Sequence, residues 1–494
     1  MELFPPEILS IVCEFSSRET LSSLSLCNRK FYHLSAPSLY ANIVLRTTDK
    51  WYCGTNVKRL RGFRSLTCLM VRSPWIARHV RHLEVRDSSF VDNPSNQIRC
   101  QLEPELRKAI GEAAQSYQER DQWLENASDP RIETCLMSIF LAQLVNLESL
   151  FWEAPTIEPN HTFRQMTRMG IKAHPYDRTP ALGKLRRVLI TQCGRNYFLE
   201  PEATAWILGL PSVQEMYIHT AAKCVWGAEL HTFALMPQRS SHCKVIDIRN
   251  SMLGPQEFSE MLSCCQGLET LCFEAGRRWW LGQGDSAWRG IRRALDTHRT
   301  TLRNLRLKYL EDNATTRAAD SLYRLSNSLG EAEPAGSLTE FTALERIEID
   351  SIFLSEFSPM DVVDWDGLLV QVFPSQIKYL KITHTEEAPQ VSFKGLVRLL
   401  EQRHMRTPKL DTLVIQCDSG LIVQNEGHVE RLSSLAKSQG VVLRVESYFR
   451  SQKTSDEEDG LSVERKWGFD DDVEWPPCKN NMNKWGFVEE HDLH

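Results

Sequence analysis

One short pattern recurs along this chain: an apolar residue, two others, an apolar residue, one other, and a third apolar residue. Complete copies stand at Val80-Leu83-Val85, Leu147-Leu150-Trp152, Leu185-Val188-Ile190, Val213-Met216-Ile218 and Leu268-Leu271-Phe273. They continue at Leu302-Leu305-Leu307, Leu344-Ile347-Ile349, Ile377-Leu380-Ile382 and Leu410-Leu413-Ile415, with weaker copies at Ile246-Ile248 and Leu443-Val445. The alternation in the second half of each copy predicts a half-buried strand. From Leu150 to Leu443 the central positions recur about every 33 residues, the mark of a stacked supersecondary unit. Helical stretches fall between strands: residues 286–295, with Trp288, Ile291 and Leu295 on one face, and a segment carrying Phe393, Leu396, Leu399 and Leu400. Strand and helix alternate once per unit, so the strands are expected to stack in parallel on one side and the helices on the other. A strand that buries two or three aliphatics gains roughly 1.5–3 kcal/mol per side chain. That does not offset the ordering entropy of one unit, so neighbours must stack. At 494 residues the chain is too long for one compact core unless it is such an array or several domains.

The first 45 residues depart from this pattern. Pro5 and Pro6 suit a helix start, where a missing N–H costs nothing. Ile8, Leu9, Ile11, Val12 and Phe15 then make one broad apolar stripe. Ser16 with Glu19 reads as a capping box that opens a second helix, carrying Leu21, Leu24, Leu26 and Cys27. Asn28 is placed to cap a third, short helix with Phe31 and Leu34, which Pro37 is expected to end. Three short helices cannot hide so many apolar side chains among themselves, so part of the stripe should be a protein-binding face.

This segment resembles the F-box family. The matching residues are Phe4-Pro5-Pro6-Glu7-Ile8-Leu9, then Leu21, Leu24 and Leu26, then Cys27-Asn28-Arg29-Lys30-Phe31. Phe4 stands where the family usually has Leu. The following Pro37-Ser38-Leu39-Tyr40 and Ile43-Val44-Leu45 look like the exit of an F-box into a first strand. The resemblance covers about 9% of the chain and implies binding of a Skp-type adaptor, through it a cullin and a RING subunit. The contacts it implies are Pro5, Pro6, Ile8, Leu9, Leu21, Leu24, Leu26 and Phe31.

The repeating body resembles leucine-rich repeats, with units longer than usual. At the position where that family carries Asn or Cys, this chain has Cys193 in one unit and Ala221, Gly276 or Asp418 in others. The expected fold is therefore α/β: a three-helix F-box at 1–45, a linker with a first strand and helix at 46–79, an irregular leucine-rich-repeat-like solenoid at 80–448, and an acidic, disordered tail at 449–494. What the resemblances imply together is a non-catalytic substrate-recognition subunit of an SCF (Skp–cullin–F-box) ubiquitin ligase, serving protein ubiquitination and proteasomal degradation. A repeat scaffold using its F-box outside ubiquitination is the alternative, and an enzyme with a site in its long loops a more distant one. Polar connections at 88–98, 154–182 and 311–340 are expected to be such loops.

Charge is unevenly placed along the chain. Net charge is −6, but residues 451–494 hold 12 acids against 5 bases, which leaves the body nearly neutral. Neither nucleic acid nor an anionic membrane is indicated as a partner. The longest uncharged apolar stretch, TCLMSIFLAQLVNL, has 14 residues, short of the roughly 20 that span a bilayer. No secretory signal is visible, and a cytoplasmic or nuclear location is expected. The 14 cysteines include no Cys-x-x-Cys and many, such as Cys27, Cys135 and Cys272, lie in apolar runs, so they read as small buried hydrophobes.

No catalytic constellation, cofactor motif or metal set stands out. Gly282-Gln283-Gly284-Asp285 lacks the Lys-Ser/Thr of a phosphate loop and reads as a turn before a helix. His79 and His82 lack further ligands, and Cys264-Cys265 should pack at a helix end. Arg277, Arg278, Trp279, Trp280 and Arg289 combine the residue types enriched in binding hot spots and are the candidate target-binding residues. The tail repeats Lys-Trp-Gly-Phe at 466–469 and 484–487, which reads as a docking motif or as a cap for the last repeat.

Overall fold

The computed structural model describes residues 4–45, 56–85, 102–128, 134–154, 159–173, 181–192, 201–219, 238–251, 255–275, 294–309, 337–355, 365–383, 393–417 and 419–447, with Tyr176, Leu199, Leu253 and the pairs 465–466 and 474–475. The chain divides into two compact units, the first built on residues up to Tyr217 and the second on Ile218–Pro476.

The first unit opens with three helices: α1 (Pro6–Glu14), α2 (Arg18–Cys27) and α3 (Arg29–Ala41). Pro6 occupies the first turn of α1, and the Pro5 carbonyl accepts from the N–H groups of Ile8 and Leu9 at 3.1 and 3.2 Å. The expected capping box at Ser16 does not form. Ser17 is the N-cap of α2, its Oγ accepting from the Thr20 N–H at 3.3 Å and donating to Glu19 at 2.7 Å. Ser16 is drawn back onto the preceding helix, where its hydroxyl donates to the Val12 carbonyl at 2.6 Å. Asn28 caps α3 as expected, accepting from the Phe31 N–H at 3.0 Å.

Pro37 does not end α3, which runs on to Ala41 with the proline inside it. The bond it forfeits belongs to the His33 carbonyl; both residues are exposed, so water can meet that group. Continuing the helix half-buries Ser38, Leu39 and Tyr40 and delivers the chain directly into a strand.

That strand is β1 (Asn42–Leu45), followed in the first unit by β2 (His82–Val85), β3 (Ser149–Ala154) and β4 (Arg187–Gln192), neighbours in chain order, while β5 (Glu215–His219) spans the division at Tyr217. The second unit holds β6 (Val245–Ser251), β7 (Thr270–Ala275), β8 (Asn304–Tyr309), β9 (Arg346–Asp350), β10 (Tyr379–Thr383), β11 (Thr412–Cys417) and β12 (Val442–Ser447), again in chain order and parallel. The recurring pattern falls on these strands in register. Ile246, Leu271, Leu305, Ile347, Leu380, Leu413 and Leu443 stand opposite one another in sequence, as do Leu83, Leu150 and Val188. All of these except Leu443 are buried. On β12 the alternation persists, but the side chains are half-buried or exposed.

Helices pack on helices within each unit. Thr134–Gln143 lies against Pro159–Gly170, which lies against Pro201–Leu208; in the second unit Phe393–Glu401 lies against Trp365–Val372 and Glu426–Ser438. The 14-residue apolar stretch of the sequence analysis supplies the first of these, with residues 135–142 all buried. Among the described residues no helix is long and apolar enough to cross a membrane. Residues 154–182 are not a plain connection: Phe163, Met166 and Met169 of the helix Pro159–Gly170 are buried. The polar composition masked a one-sided apolar stripe there. Cys27 is exposed rather than buried, its thiol donating to the Ser23 carbonyl at 3.3 Å, whereas Cys135 and Cys272 are buried.

Two short strands in the C-terminal stretch, Arg465–Lys466 and Glu474–Trp475, pair antiparallel. The rest of that stretch, with both Lys-Trp-Gly-Phe copies beyond Lys466, lies outside the described residues. So do the connections 88–98 and 311–336, the turn at 282–285 and residues 286–293 of the expected helix, and positions 193, 221, 276 and 418.

Candidate protein-binding site

Helices α1 and α2 both pack on α3. Leu9 and Cys13, one turn apart on α1, are buried. So are Leu21 of α2 and Phe31, Ser35 and Ala36 of α3. The rest of the α1 stripe faces outward: Ile8 is 46% exposed, Ile11 50%, Val12 52% and Phe15 87%, with Phe4 just before the helix at 55%. Ile8, Ile11, Val12 and Phe15 follow the i, i+3, i+4, i+7 spacing of one helical face, turned away from the Leu9–Cys13 face. Leu26, near the end of α2, is 85% exposed.

The residues implied as adaptor contacts therefore divide. Pro5, Pro6, Ile8 and Leu26 are exposed and Leu24 is half-buried; Leu9, Leu21 and Phe31 form the interior of the three-helix module. The exposed face also includes Phe4, Ile11, Val12 and Phe15. Their place in the same apolar stripe was the available signal, but the stripe alone does not say which side meets α3. Covering a side chain already half shielded returns on the order of 1 kcal/mol, so a partner that spans the face gains several such increments.

The residues between the buried anchors form a second face on the strands, which in the second unit is polar. In the second unit one row reads Asp247, Cys272, Arg306, Glu348, Lys381, strand by strand. Arg249 forks onto Asp247 with two bonds of 3.0 Å. Arg306 Nε donates to Glu348 at 2.7 Å, and Arg346 donates to the other carboxylate oxygen at 3.0 Å while lying over the Tyr379 ring. In the first unit the corresponding row is Glu84, Phe151 and Leu189, mostly apolar.

The remaining candidates do not assemble a site. His82 Nδ1 is bonded to Ser149 Oγ at 2.7 Å, and His79 meets the edge of Trp75. Burial lowers the pKa of both histidines. Among the described residues no group of three or more His, Cys, Asp or Glu is arranged to hold a metal. Cys264 and Cys265 are buried just after the helix Pro255–Ser263, and burial pushes the Cys264 thiol up to about 11, which leaves it protonated and inert at neutral pH. Arg277, Arg278, Trp279, Trp280 and Arg289 lie outside the described residues. A scan against protein-family models finds no match for the chain, and a comparison with curated proteins finds none either.

Proposed function

We propose that this chain is an F-box substrate receptor, the recognition subunit of an SCF-type ubiquitin ligase. Its N-terminal helices dock on a Skp-type adaptor, and its leucine-rich-repeat-like body holds a target protein. The observation that carries the reading is the outward apolar face of α1, with Phe15 87% exposed at its end and Leu26 of α2 85% exposed. An apolar face of this kind on a soluble module is a partner surface, and its residues belong to the segment that resembles an F-box. The parallel strand-and-helix array supports the receptor half, since stacked units offer an extended surface for a protein. In this reading the chain breaks and makes no bonds; it holds a target lysine near a ubiquitin-charged enzyme, a gain of proximity.

The test is adaptor capture with the full chain. Ile11→Asp with Phe15→Asp, and separately Leu26→Asp, are expected to abolish co-purification of a Skp-type adaptor while the circular dichroism spectrum stays unchanged. These positions are chosen because they are exposed; Leu9→Asp would place a charge in the interior of the module. Retained adaptor binding in both variants removes the F-box reading. Adaptor capture without a cullin would instead favour a scaffold outside ubiquitination.

A further inference from the structure

A polar cavity of about 40 Å³, open to solvent, lies over β6, β7 and β8 and is lined among others by Asp247, Arg249, Cys272, Glu274, Arg306 and Lys308. Its wall is built of charges withdrawn from water: Asp247 is 0% exposed, Arg306 3% and Arg249 8%. Burying ion pairs brings little net stability, and an apolar residue of similar size serves a fold as well or better. The fold admits apolar residues there, since Phe151 and Leu189 fill the corresponding row of the first unit beside Glu84. Charges kept at such a position serve recognition better than folding.

The ionic commitments inside the cavity are unequal. Asp247 takes both prongs of Arg249, and Arg306 is fixed from behind by Glu348. Glu274, opposite Lys308 in register, accepts the Asn250 N–H at 3.3 Å. Lys308 is half-buried, points to the same strand face as Arg306 two residues earlier, and makes no ion pair among the described residues. Of the three cations that line the cavity, Arg249 is taken by Asp247 and Arg306 by Glu348, and Lys308 is the third.

We propose that this cavity receives a carboxylate side chain from an acidic segment of the target protein, with the Lys308 ammonium as its salt-bridge partner and Arg306, held by Glu348, as the second positive wall. The inference rests on the receptor reading for the identity of the ligand as a target, while the cavity's preference for a carboxylate stands on its own geometry. The probe is a fluorescein-labelled oligo-glutamate peptide, with its oligo-glutamine counterpart as control, titrated into the full-length chain and followed by anisotropy. The glutamate peptide is expected to bind and the glutamine peptide not to. Lys308→Glu should weaken binding by about tenfold or more, the worth of one charge-assisted contact, and Lys308→Arg should restore most of it. Carbodiimide coupling should join Lys308 to a peptide glutamate. Equal binding by the Lys308→Glu variant, or equal binding of the two peptides, overturns the proposal. A carbodiimide link from Lys308 to this chain's own residues 456–459 or 470–474, in place of the peptide, also overturns it and gives the cavity to an internal acidic segment. Adaptor capture by the same Lys308→Glu sample separates the two readings: its loss or retention bears on the N-terminal module alone.

Discussion

Arg306 Nε donates to Glu348 Oε2 at 2.7 Å across the β8–β9 pair, and the two side chains are 4% and 3% exposed. The pair lies on the polar face of strands whose other face is aliphatic. Arg346 also reaches Glu348, at 3.0 Å, so removing Arg306 leaves the buried carboxylate with that one counter-ion. Arg306→Ala should therefore lower stability by about 1.5–3 kcal/mol, the worth of a hydrogen bond to a charged group, whereas the double replacement Arg306→Met with Glu348→Leu should recover most of the loss. Urea unfolding followed by circular dichroism gives both numbers. A double variant as unstable as the single one would show that the pair contributes more than mutual neutralisation.

The aliphatic face answers to a different substitution. Leu380 is fully buried and stands in register between Ile347 and Leu413. Leu380→Ala should cost about 2–5 kcal/mol, the loss of transfer energy plus a residual cavity. Hydrogen exchange should show the largest loss of protection in β9, β10 and β11, because a stacked unit is supported chiefly by its neighbours. Uniform loss over the whole second unit would mean that it unfolds as one cooperative block.

The cap of α3 offers a smaller test close to the proposed adaptor face. Asn28 Oδ1 accepts from the Phe31 N–H at 3.0 Å, and Phe31 is part of the module's interior. Asn28→Ala should destabilise by about 1 kcal/mol and Asn28→Asp by much less. Adaptor capture should survive both substitutions, since Asn28 orders the helix without belonging to the outward stripe.

Much of the fold was legible because each strand announces itself locally: a period-two alternation of large aliphatics, such as Leu305 and Leu307, does not depend on distant partners. The register of the strands followed, since the same central position is buried in each strand before β12. Burial within the first 45 residues was less legible. Leu9 and Phe15 both lie in the apolar stripe of α1, yet only Leu9 is buried, and the sequence does not say which way α3 turns it. Ser16 read as the cap because Glu19 stands three residues on, but its hydroxyl is bonded back to Val12 and Ser17 takes the N-cap. Pro37 read as a terminator because the solvent exposure of His33, which tolerates the lost bond, is a property of the packed module. The charged cavity was invisible for a related reason. Asp247, Arg306 and Glu348 are far apart in the chain, and as isolated polar residues between aliphatics they look like the solvated side of each strand.

Acid should weaken the second unit through His298. The imidazole is 1% exposed, and its Nε2 lies 3.0 Å from the Leu262 carbonyl, which fixes the neutral ring with that nitrogen protonated. Burial holds its pKa below the ordinary value of 6.5, with the Arg239 charge acting in the same direction and the Leu262 bond opposing them. Above 6.5 the ring is neutral whether the chain is folded or not, and stability does not depend on it. As pH falls below 6.5 the unfolded chain takes up the proton first, so stability declines at up to about 1.4 kcal/mol per pH unit until the lowered folded pKa is reached. His79 and His82, with pKa values lowered by burial, add slopes of the same sign in the first unit. His298→Phe should remove one histidine's share of the acid slope. It should also lower stability at neutral pH, because the Leu262 carbonyl loses its donor. Urea midpoints measured across a pH series on wild type and variant test this, and parallel curves would show that His298 titrates identically in the folded and unfolded chain.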